Sequence, residues 1–128
     1  MGDFPIDLSG DGRLKKKILK DGTGAQPQKG EKVWAHYTGK LTDGSVFDSS
    51  IPKPHRKNGF DFVVGAQAVI AGWDIGIASM KVGEKAELCC APEYAYGAEG
   101  TPGGPIPPNA TLIFEIELLH IGNAPKTS

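Results

Sequence analysis

Alternating apolar and polar positions mark the last predicted strand, over residues 111–121. The residues on one side of this segment are apolar: Leu112, Phe114, Ile116 and Leu118. The other side of the segment carries the polar residues Thr111, Glu115 and Glu117. A period of two is typical of a strand with one buried face and one solvated face. We therefore expect a sheet whose inner face carries Phe114.

The rest of the chain contains further strand patterns and one helical pattern. Alternation and turn residues predict strands at 14–19, 33–38, 45–48, 60–64 and 85–91. The period changes over 67–78, where one helical face holds Val69, Ile70, Trp73 and Ile77. A charged, solvated edge strand explains the basic segment 13–20 more simply than the alternative, a phosphate-binding patch. Together the elements predict an α+β fold of about five antiparallel strands and one covering helix.

Length and charge indicate one soluble domain. The chain has 128 residues and a net charge of −1, with both signs dispersed along it, so a nucleic-acid partner is not expected. It lacks a signal-peptide pattern and any apolar run near the roughly 18 residues of a membrane helix. We expect a cytoplasmic or nuclear protein without a membrane partner. The predicted domain spans 11–122, between a flexible N-terminal extension at 1–10 and a C-terminal tail or linker at 123–128.

The two cysteines, Cys89 and Cys90, are adjacent in the sequence. Their Cα atoms lie about 3.8 Å apart, closer than the roughly 4.4 Å that a disulfide usually needs. On a strand, one thiol faces the core and the other faces the opposite side. We expect two reduced thiols. Because no further ligands occur at a metal-binding spacing, we expect neither a metal site nor a cofactor.

Six aromatic residues lie on different predicted elements: Tyr37, Phe47, Phe60, Trp73, Tyr96 and Phe114. They converge only if the sheet curves around the helix, which would create a concave apolar pocket. The alternative is that they are ordinary core residues, as we expect for Phe62. Tyrosine and tryptophan carry polar groups that need partners when they are buried, which favours the pocket. The loop that carries Tyr96 and Ile106 is expected to form one wall.

Six segments, in this order, resemble the consecutive motifs of the FK506-binding protein family of peptidyl-prolyl cis/trans isomerases. They are 33–39 (VWAHYTG), 43–50 (DGSVFDSS), 69–73 (VIAGW), 80–83 (MKVG), 92–97 (PEYAYG) and 106–114 (IPPNATLIF). The similarity covers nearly all of residues 14–121. It implies a strongly curved antiparallel sheet wrapped around one short helix, with the ligand between helix and sheet.

The resemblance also implies a set of pocket residues. Trp73 matches the floor on which a proline ring sits, and the walls would be Tyr37, Phe47, Phe60, Val69, Ile70, Ile106 and Phe114. Asp48 and Tyr96 match polar contacts, and the Ile70 N–H matches a donor to a ligand carbonyl. Arg56 matches an arginine that pairs with the pocket aspartate, and Ala68 would contact the ligand through its backbone. The residues expected to act in catalysis are Tyr37, Asp48, Trp73, Tyr96 and Phe114.

Asp48 has a second interpretation. From the residues alone, Asp48 and the serines that follow it can equally form a turn with local side-chain hydrogen bonds. The resemblance favours a half-buried carboxylate in the pocket, with Tyr37 and Arg56 as partners.

The family implies peptidyl-prolyl cis/trans isomerase activity on proline-containing protein substrates. An apolar pocket would favour the twisted amide without covalent chemistry or a cofactor. FK506 and rapamycin would bind and inhibit, and the bound drug could recruit calcineurin or mTOR. The alternative is a non-catalytic module that binds a proline segment or a macrolide, as one domain of a larger co-chaperone. A chaperone partner is expected only if a longer chain follows Ser128, and the domain itself is expected to be a monomer.

Overall fold

The computed structural model describes residues 4–49, 60–67, 69–101 and 104–122. Within these ranges there are seven strands: β1 (Ile6–Asp7), β2 (Leu14–Lys20), β3 (Lys32–Leu41), β4 (Val46–Ser49), β5 (Phe60–Val63), β6 (Lys85–Cys90) and β7 (Leu112–Ile121). One α-helix, α1 (Ala71–Ala78), joins β5 to β6, and a short 3-10 helix (Pro92–Tyr94) follows β6. Neither helix of this part of the chain is long and apolar enough to span a membrane.

The strands form one antiparallel sheet in the order β1-β2-β6-β7-β3-β4, and β5 also pairs with β3. On one side β3 pairs with β7 over nine positions, from Val33↔Ile121 to Leu41↔Leu112. On its other side, β5 pairs with residues 32–35 and β4 with residues 38–40. The sheet therefore divides along β3, and Tyr37 lies at the division.

The core lies between the inner face of the sheet and α1. The four alternating apolar residues of β7 that were predicted to share one face, Leu112, Phe114, Ile116 and Leu118, are all buried. The helix buries Trp73 and Ile77, and two glycines bring its backbone against β6. A Cβ atom on Gly72 would lie 2.6 Å from Sγ of Cys90, and one on Gly76 would collide with Leu88. Because these positions lack side chains, α1 packs directly on the sheet.

A buried ion pair joins β2 to the turn that precedes β6. Lys16 is 4% exposed, and its Nζ lies 2.7 Å from a carboxylate oxygen of Glu84, which is also 4% exposed. The same ammonium donates to the carbonyl and hydroxyl oxygens of Ser79, at 3.2 and 3.1 Å. The expectation of a charged, solvated edge strand is therefore wrong at Lys16, and β2 is not an edge strand where β1 pairs with it, at Lys15 and Lys16. The Lys16 side chain shares the inner face of β2 with Leu14, where a charge needs a partner.

The predicted α+β class, with a curved antiparallel sheet and one short helix, is confirmed, but the described strands number seven rather than about five. One of the additional strands is β1, which lies inside the predicted N-terminal extension and pairs with β2. The helix begins at Ala71 rather than at residue 67, because Gly65 and Gln67 have left-handed φ values of 79° and 59°. Residues 123–128 lie outside the described ranges, and the domain boundaries stay predictions.

Candidate active site

A cavity of about 220 Å³ opens between α1 and the inner face of the divided sheet. The strands contribute lining residues from β3, β4, β5 and β7, and α1 and two loops contribute the others. The lining residues are Tyr37, Phe47, Asp48, Phe60, Val69, Ile70, Trp73, Tyr96 and Phe114. Four of the nine carry polar side-chain groups, and the other five are apolar. The four are Tyr37, Asp48, Trp73 and Tyr96. The cavity is therefore an apolar site with a few polar groups, as small-ligand sites commonly are.

Trp73 forms the floor of the cavity and is 5% exposed. Its ring packs against four others, with centroid distances of 4.9 Å to Tyr37, 5.3 Å to Phe114, 5.8 Å to Phe60 and 6.0 Å to Phe62. Three of these contacts are edge-to-face, the arrangement that aromatic quadrupoles favour. The buried indole N–H has no hydrogen-bond acceptor within the described part of the chain. Aromatic packing therefore holds the floor in place.

The wall opposite the helix depends on a glycine. Phe47 of β4 and Phe114 of β7 meet edge-to-face with centroids 5.7 Å apart. They meet over Gly39 of β3, where an added Cβ would lie 2.5 Å from Phe47 Cζ and 3.0 Å from Phe114 Cε1. Only a residue without a side chain leaves both rings in these positions. The sequence pattern identified the two rings but not the dependence on Gly39.

Asp48 and Tyr37 form the polar contact at the division of the sheet. The Tyr37 hydroxyl donates to Asp48 Oδ2 at 2.6 Å, and the Asp48 Oδ1 accepts from the Ser49 N–H at 2.9 Å. Both interpretations of Asp48 thus hold in part, since the carboxylate makes one local hydrogen bond and also lines the cavity. An ionised carboxylate in this position presents negative charge to a ligand and can only accept hydrogen bonds from it.

Tyr96 lies at the mouth of the cavity and is 40% exposed. Partial burial raises the pKa of its hydroxyl above the usual value of 10.0, and the nearby Asp48 carboxylate raises that pKa further. Both effects disfavour a phenolate beside an existing negative charge. Tyr96 is therefore a neutral hydroxyl at physiological pH and can donate a hydrogen bond to a ligand.

The turn that precedes α1 supplies a second donor. Ile70 is the N-cap residue, and its carbonyl accepts from the N–H groups of Trp73 and Asp74 at 2.9 and 3.2 Å. Its own N–H donates no hydrogen bond within the described residues, as expected for the first amides of a helix. Ile70 also lines the cavity. The open helix terminus thus leaves an amide donor for a ligand oxygen.

The structure brings most of the predicted site residues together. Those that line the cavity are the nine named above. Ile106 is 5% exposed and belongs to the core cluster, and it does not line this cavity. Arg56 and Ala68 lie outside the described residues. Phe62 is buried, as expected for a core residue, yet it supports the floor through its contact with Trp73.

Neither thiol lies in the cavity. Cys90 faces the core and Cys89 is half-buried on the other side of β6, as their alternation predicted. Burial raises the pKa of the Cys90 thiol to about 12 and also raises the pKa of the Cys89 thiol. Both are therefore poor nucleophiles at neutral pH. Among the described residues, no group of three or more metal-ligating side chains is close enough to hold an ion.

The chain is similar to known proteins over most of its length. Residues 23–119 match the family model of FKBP-type peptidyl-prolyl cis-trans isomerases. A protein named FK506-binding protein 59, from Drosophila melanogaster, is 55% identical over 89% of this chain and 25% of its own length. The peptidyl-prolyl cis-trans isomerase FKBP4 of Mus musculus is 52% identical over 90% of this chain and 25% of its own length. The chain thus spans about a quarter of these two relatives.

A shorter relative is covered almost completely. FK506-binding protein 1 of Dictyostelium discoideum is 53% identical over 80% of this chain and 92% of its own length. The matched region includes every described element from β3 to the cavity wall on β7.

Proposed function

Because the chain belongs to the family of FKBP-type peptidyl-prolyl cis-trans isomerases, we propose that the cavity over Trp73 catalyses rotation about X-Pro peptide bonds. The observation that carries this proposal is the geometry of the cavity. A buried aromatic floor is bordered by two groups able to donate hydrogen bonds, the Ile70 N–H and the Tyr96 hydroxyl. Such an arrangement fits a proline ring together with the carbonyl that precedes it.

The reaction is a rotation against amide resonance. The barrier is about 18–20 kcal/mol because the planar amide gains resonance energy that the twisted amide lacks. The twisted amide is less charge-separated than the planar one, so an apolar cavity stabilises it relative to the ground state. Since rotation breaks no σ bond, the mechanism needs neither a nucleophile nor a covalent intermediate.

The residues of the cavity have separate roles in this mechanism. Trp73 and the surrounding rings hold the proline ring, whose position then stays fixed while the carbonyl side rotates. The Ile70 N–H and the Tyr96 hydroxyl hold the carbonyl in the twisted orientation. Donors that are fixed before the reaction need no reorganisation in the transition state, which is the condition for lowering the barrier. Asp48 keeps Tyr37 in place through their hydrogen bond, and it adds to the effect of burial in raising the pKa of the Tyr96 hydroxyl.

FK506 and rapamycin are proposed as inhibitors that occupy the same cavity. Two of the relatives described above carry FK506 binding in their names. The apolar lining and the two donors suit a ligand with a cyclic apolar group and adjacent carbonyl oxygens. Capture of calcineurin or mTOR by the bound drug, a chaperone partner and a cytoplasmic location stay predictions. The loop residues 50–59 and 102–103, which would bear on drug-mediated capture, lie outside the described residues.

The test measures cis-to-trans conversion of a short Leu-Pro peptide with and without FK506. Wild type is compared with Trp73→Leu, which shortens the floor, and with Trp34→Ala as a matched control. Trp34 is half-buried on β3, away from the cavity, and its Nε1 donates to the Gly122 carbonyl at 3.0 Å. We expect acceleration by wild type and by Trp34→Ala that FK506 abolishes, and a loss of at least about tenfold in kcat/KM for Trp73→Leu.

The remaining outcomes separate the alternatives. FK506 binding by wild type without any acceleration would support the non-catalytic binding module. Absence of both binding and acceleration would reject the proposal. An equal loss in the two tryptophan variants would show that the effect comes from general destabilisation rather than from the floor.

A further inference from the structure

The turn between β5 and α1 has an unusual backbone. Gly65 and Gln67 both have left-handed φ values, 79° and 59°. Glycine adopts this region freely, but a glutamine does so only at a conformational cost. Val69 and Ile70, which follow directly, line the cavity. The conformation of this turn therefore decides where two cavity residues and one of the proposed donors lie.

One side chain holds the turn from the helix. Asp74 of α1 accepts from the Gly65 N–H through Oδ1 at 3.0 Å and from the Gln67 N–H through Oδ2 at 3.1 Å. The Asp74 N–H in turn donates to the Ile70 carbonyl at 3.2 Å. Asp74 thus contacts the turn at three positions and spans it from beginning to end. Its two carboxylate bonds are charge-assisted, the stronger kind of hydrogen bond.

We propose that Asp74 is a positioning residue that fixes the Ile70 amide and the Val69 side chain at the edge of the cavity. This inference rests on the proposed function, because it assigns the fixed amide to the carbonyl of the substrate. Asp74 does not line the cavity, so it acts only through the turn. The carboxylate offsets the cost of the left-handed Gln67 and leaves the Ile70 N–H with one orientation.

A simpler role for Asp74 is stabilisation of the helix. A carboxylate in the first helical turn interacts favourably with the positive end of the helix dipole, whatever the turn does. The two roles differ in what a substitution changes. Loss of a helix-dipole interaction lowers stability alone, whereas loss of positioning changes ligand affinity by more than the lowered stability explains.

The matched control is Ile75→Gly. Ile75 is the next residue of α1, is 40% exposed and does not line the cavity. Glycine there weakens the helix through its low helix propensity but leaves the turn and its hydrogen bonds unchanged. Comparing Asp74→Ala with Ile75→Gly therefore separates the turn from the helix. Asp74→Asn retains one acceptor oxygen and is expected to be intermediate.

Each variant is assayed for urea unfolding, for kcat/KM on the Leu-Pro peptide and for FK506 affinity under conditions where it is fully folded. We expect Asp74→Ala to lose about tenfold in kcat/KM and in FK506 affinity, the equivalent of one hydrogen bond to the ligand. Ile75→Gly is expected to lose less than about twofold, because it changes no group that contacts the ligand. Equal losses in the two variants would overturn the proposal.

A second measurement uses Gln67. Gln67→Gly removes the conformational cost of the left-handed residue, so the turn then depends less on Asp74. We expect Asp74→Ala to cause a smaller loss of FK506 affinity in the Gln67→Gly background than in the wild-type background. Independent, additive effects would contradict the positioning role.

A spectroscopic readout distinguishes failure of this inference from failure of the proposed function. In the ligand-free protein, Asp74→Ala is expected to move the Ile70 amide resonance and to change the three-bond coupling between the amide and Hα protons of Gln67. Ile75→Gly is expected to leave that coupling unchanged. These signals do not depend on isomerase activity. A wild type without acceleration would reject the proposed function, whereas an unchanged turn in Asp74→Ala would reject the role of Asp74.

Discussion

Replacement of Lys16 by methionine is expected to destabilise the protein strongly, although Lys16 does not line the cavity. The substitution removes the ammonium that lies 2.7 Å from the Glu84 carboxylate. Glu84 then keeps one hydrogen bond, from the Lys81 N–H to Oε1 at 3.2 Å, and its charge stays in a position that is 4% exposed. Removing one partner of a buried ion pair costs about 3–5 kcal/mol, because the other charge is left without compensation.

Substitution of the other partner, Glu84, is expected to cost less folding stability. In Glu84→Gln the buried ammonium retains the carbonyl and hydroxyl oxygens of Ser79 as acceptors. In the double variant Lys16→Met with Glu84→Gln, both charges are gone and the glutamine oxygen can still accept from the Lys81 N–H. We expect the double variant to lie within about 2 kcal/mol of wild type, since neutral replacement of a buried pair is often tolerated. The coupling between the two sites should then exceed about 1 kcal/mol.

Urea unfolding measures these differences. With an m-value of about 1–3 kcal/mol/M for a small protein, a loss of about 3 kcal/mol lowers the midpoint by about 1–3 M. Lys17→Met is the control on the same strand, because Lys17 is half-exposed and lies opposite Glu87 on the outer face. A surface change of this kind is expected to cost less than about 1 kcal/mol. The reasoning fails if Lys16→Met costs no more than Lys17→Met, or if the double-mutant cycle shows no coupling.

Three further predictions concern the cavity and the thiols. Gly39→Ala is expected to lower FK506 affinity more than about tenfold, because the added methyl must displace the Phe47 ring. Calorimetric titration measures this affinity, and an unchanged value would show that the ring moves away freely. The pKa of Tyr96 is higher in the folded than in the unfolded protein, so the stability that this shift contributes is complete below pH 10.0 and is lost as pH rises through the folded pKa. Ultraviolet titration of wild type, compared with Tyr96→Phe, should show that the Tyr96 phenolate forms above pH 10.0. Ionisation of Tyr96 at or below pH 10.0 would contradict this prediction. In the native protein, Cys90, with a pKa of about 12, should react with a disulfide reagent more slowly than Cys89. In denaturant the two thiols should react at the same rate. Equal reaction rates in the native protein would contradict the burial of Cys90.

Local patterns predicted most of the strands because they follow from burial of one face. The alternation in β7 and in β6 is a direct consequence of side chains that point to opposite sides, so the sequence assigned Phe114 to the inner face and the two adjacent cysteines to opposite faces of β6. Only the structure shows that Cys90 is the thiol that faces the core. The start of the helix was less predictable. Val69 and Ile70 fit the helical period, yet they belong to the turn, because the Asp74 carboxylate holds Gln67 in a left-handed conformation that a helix cannot contain.

The candidate site was likewise predicted only in part from the sequence. The resemblance of the motifs located Trp73 and the surrounding aromatic residues, since these are separate side chains that can be matched position by position. It did not indicate that Ile106 is held in the core, because a residue type alone does not show which side of a wall it faces.

The sequence by itself determined the fold class, the family and the identity of the cavity residues, because these depend on periodicity and on motif order along the chain. Only the tertiary structure decided which long-range partners these residues have. The pairing of Lys16 with Glu84, the contact of Gly39 with Phe47 and the support of the turn by Asp74 join residues from different elements. Such contacts depend on how the sheet divides and on how closely α1 approaches it, and these distances arise only when all the elements pack together.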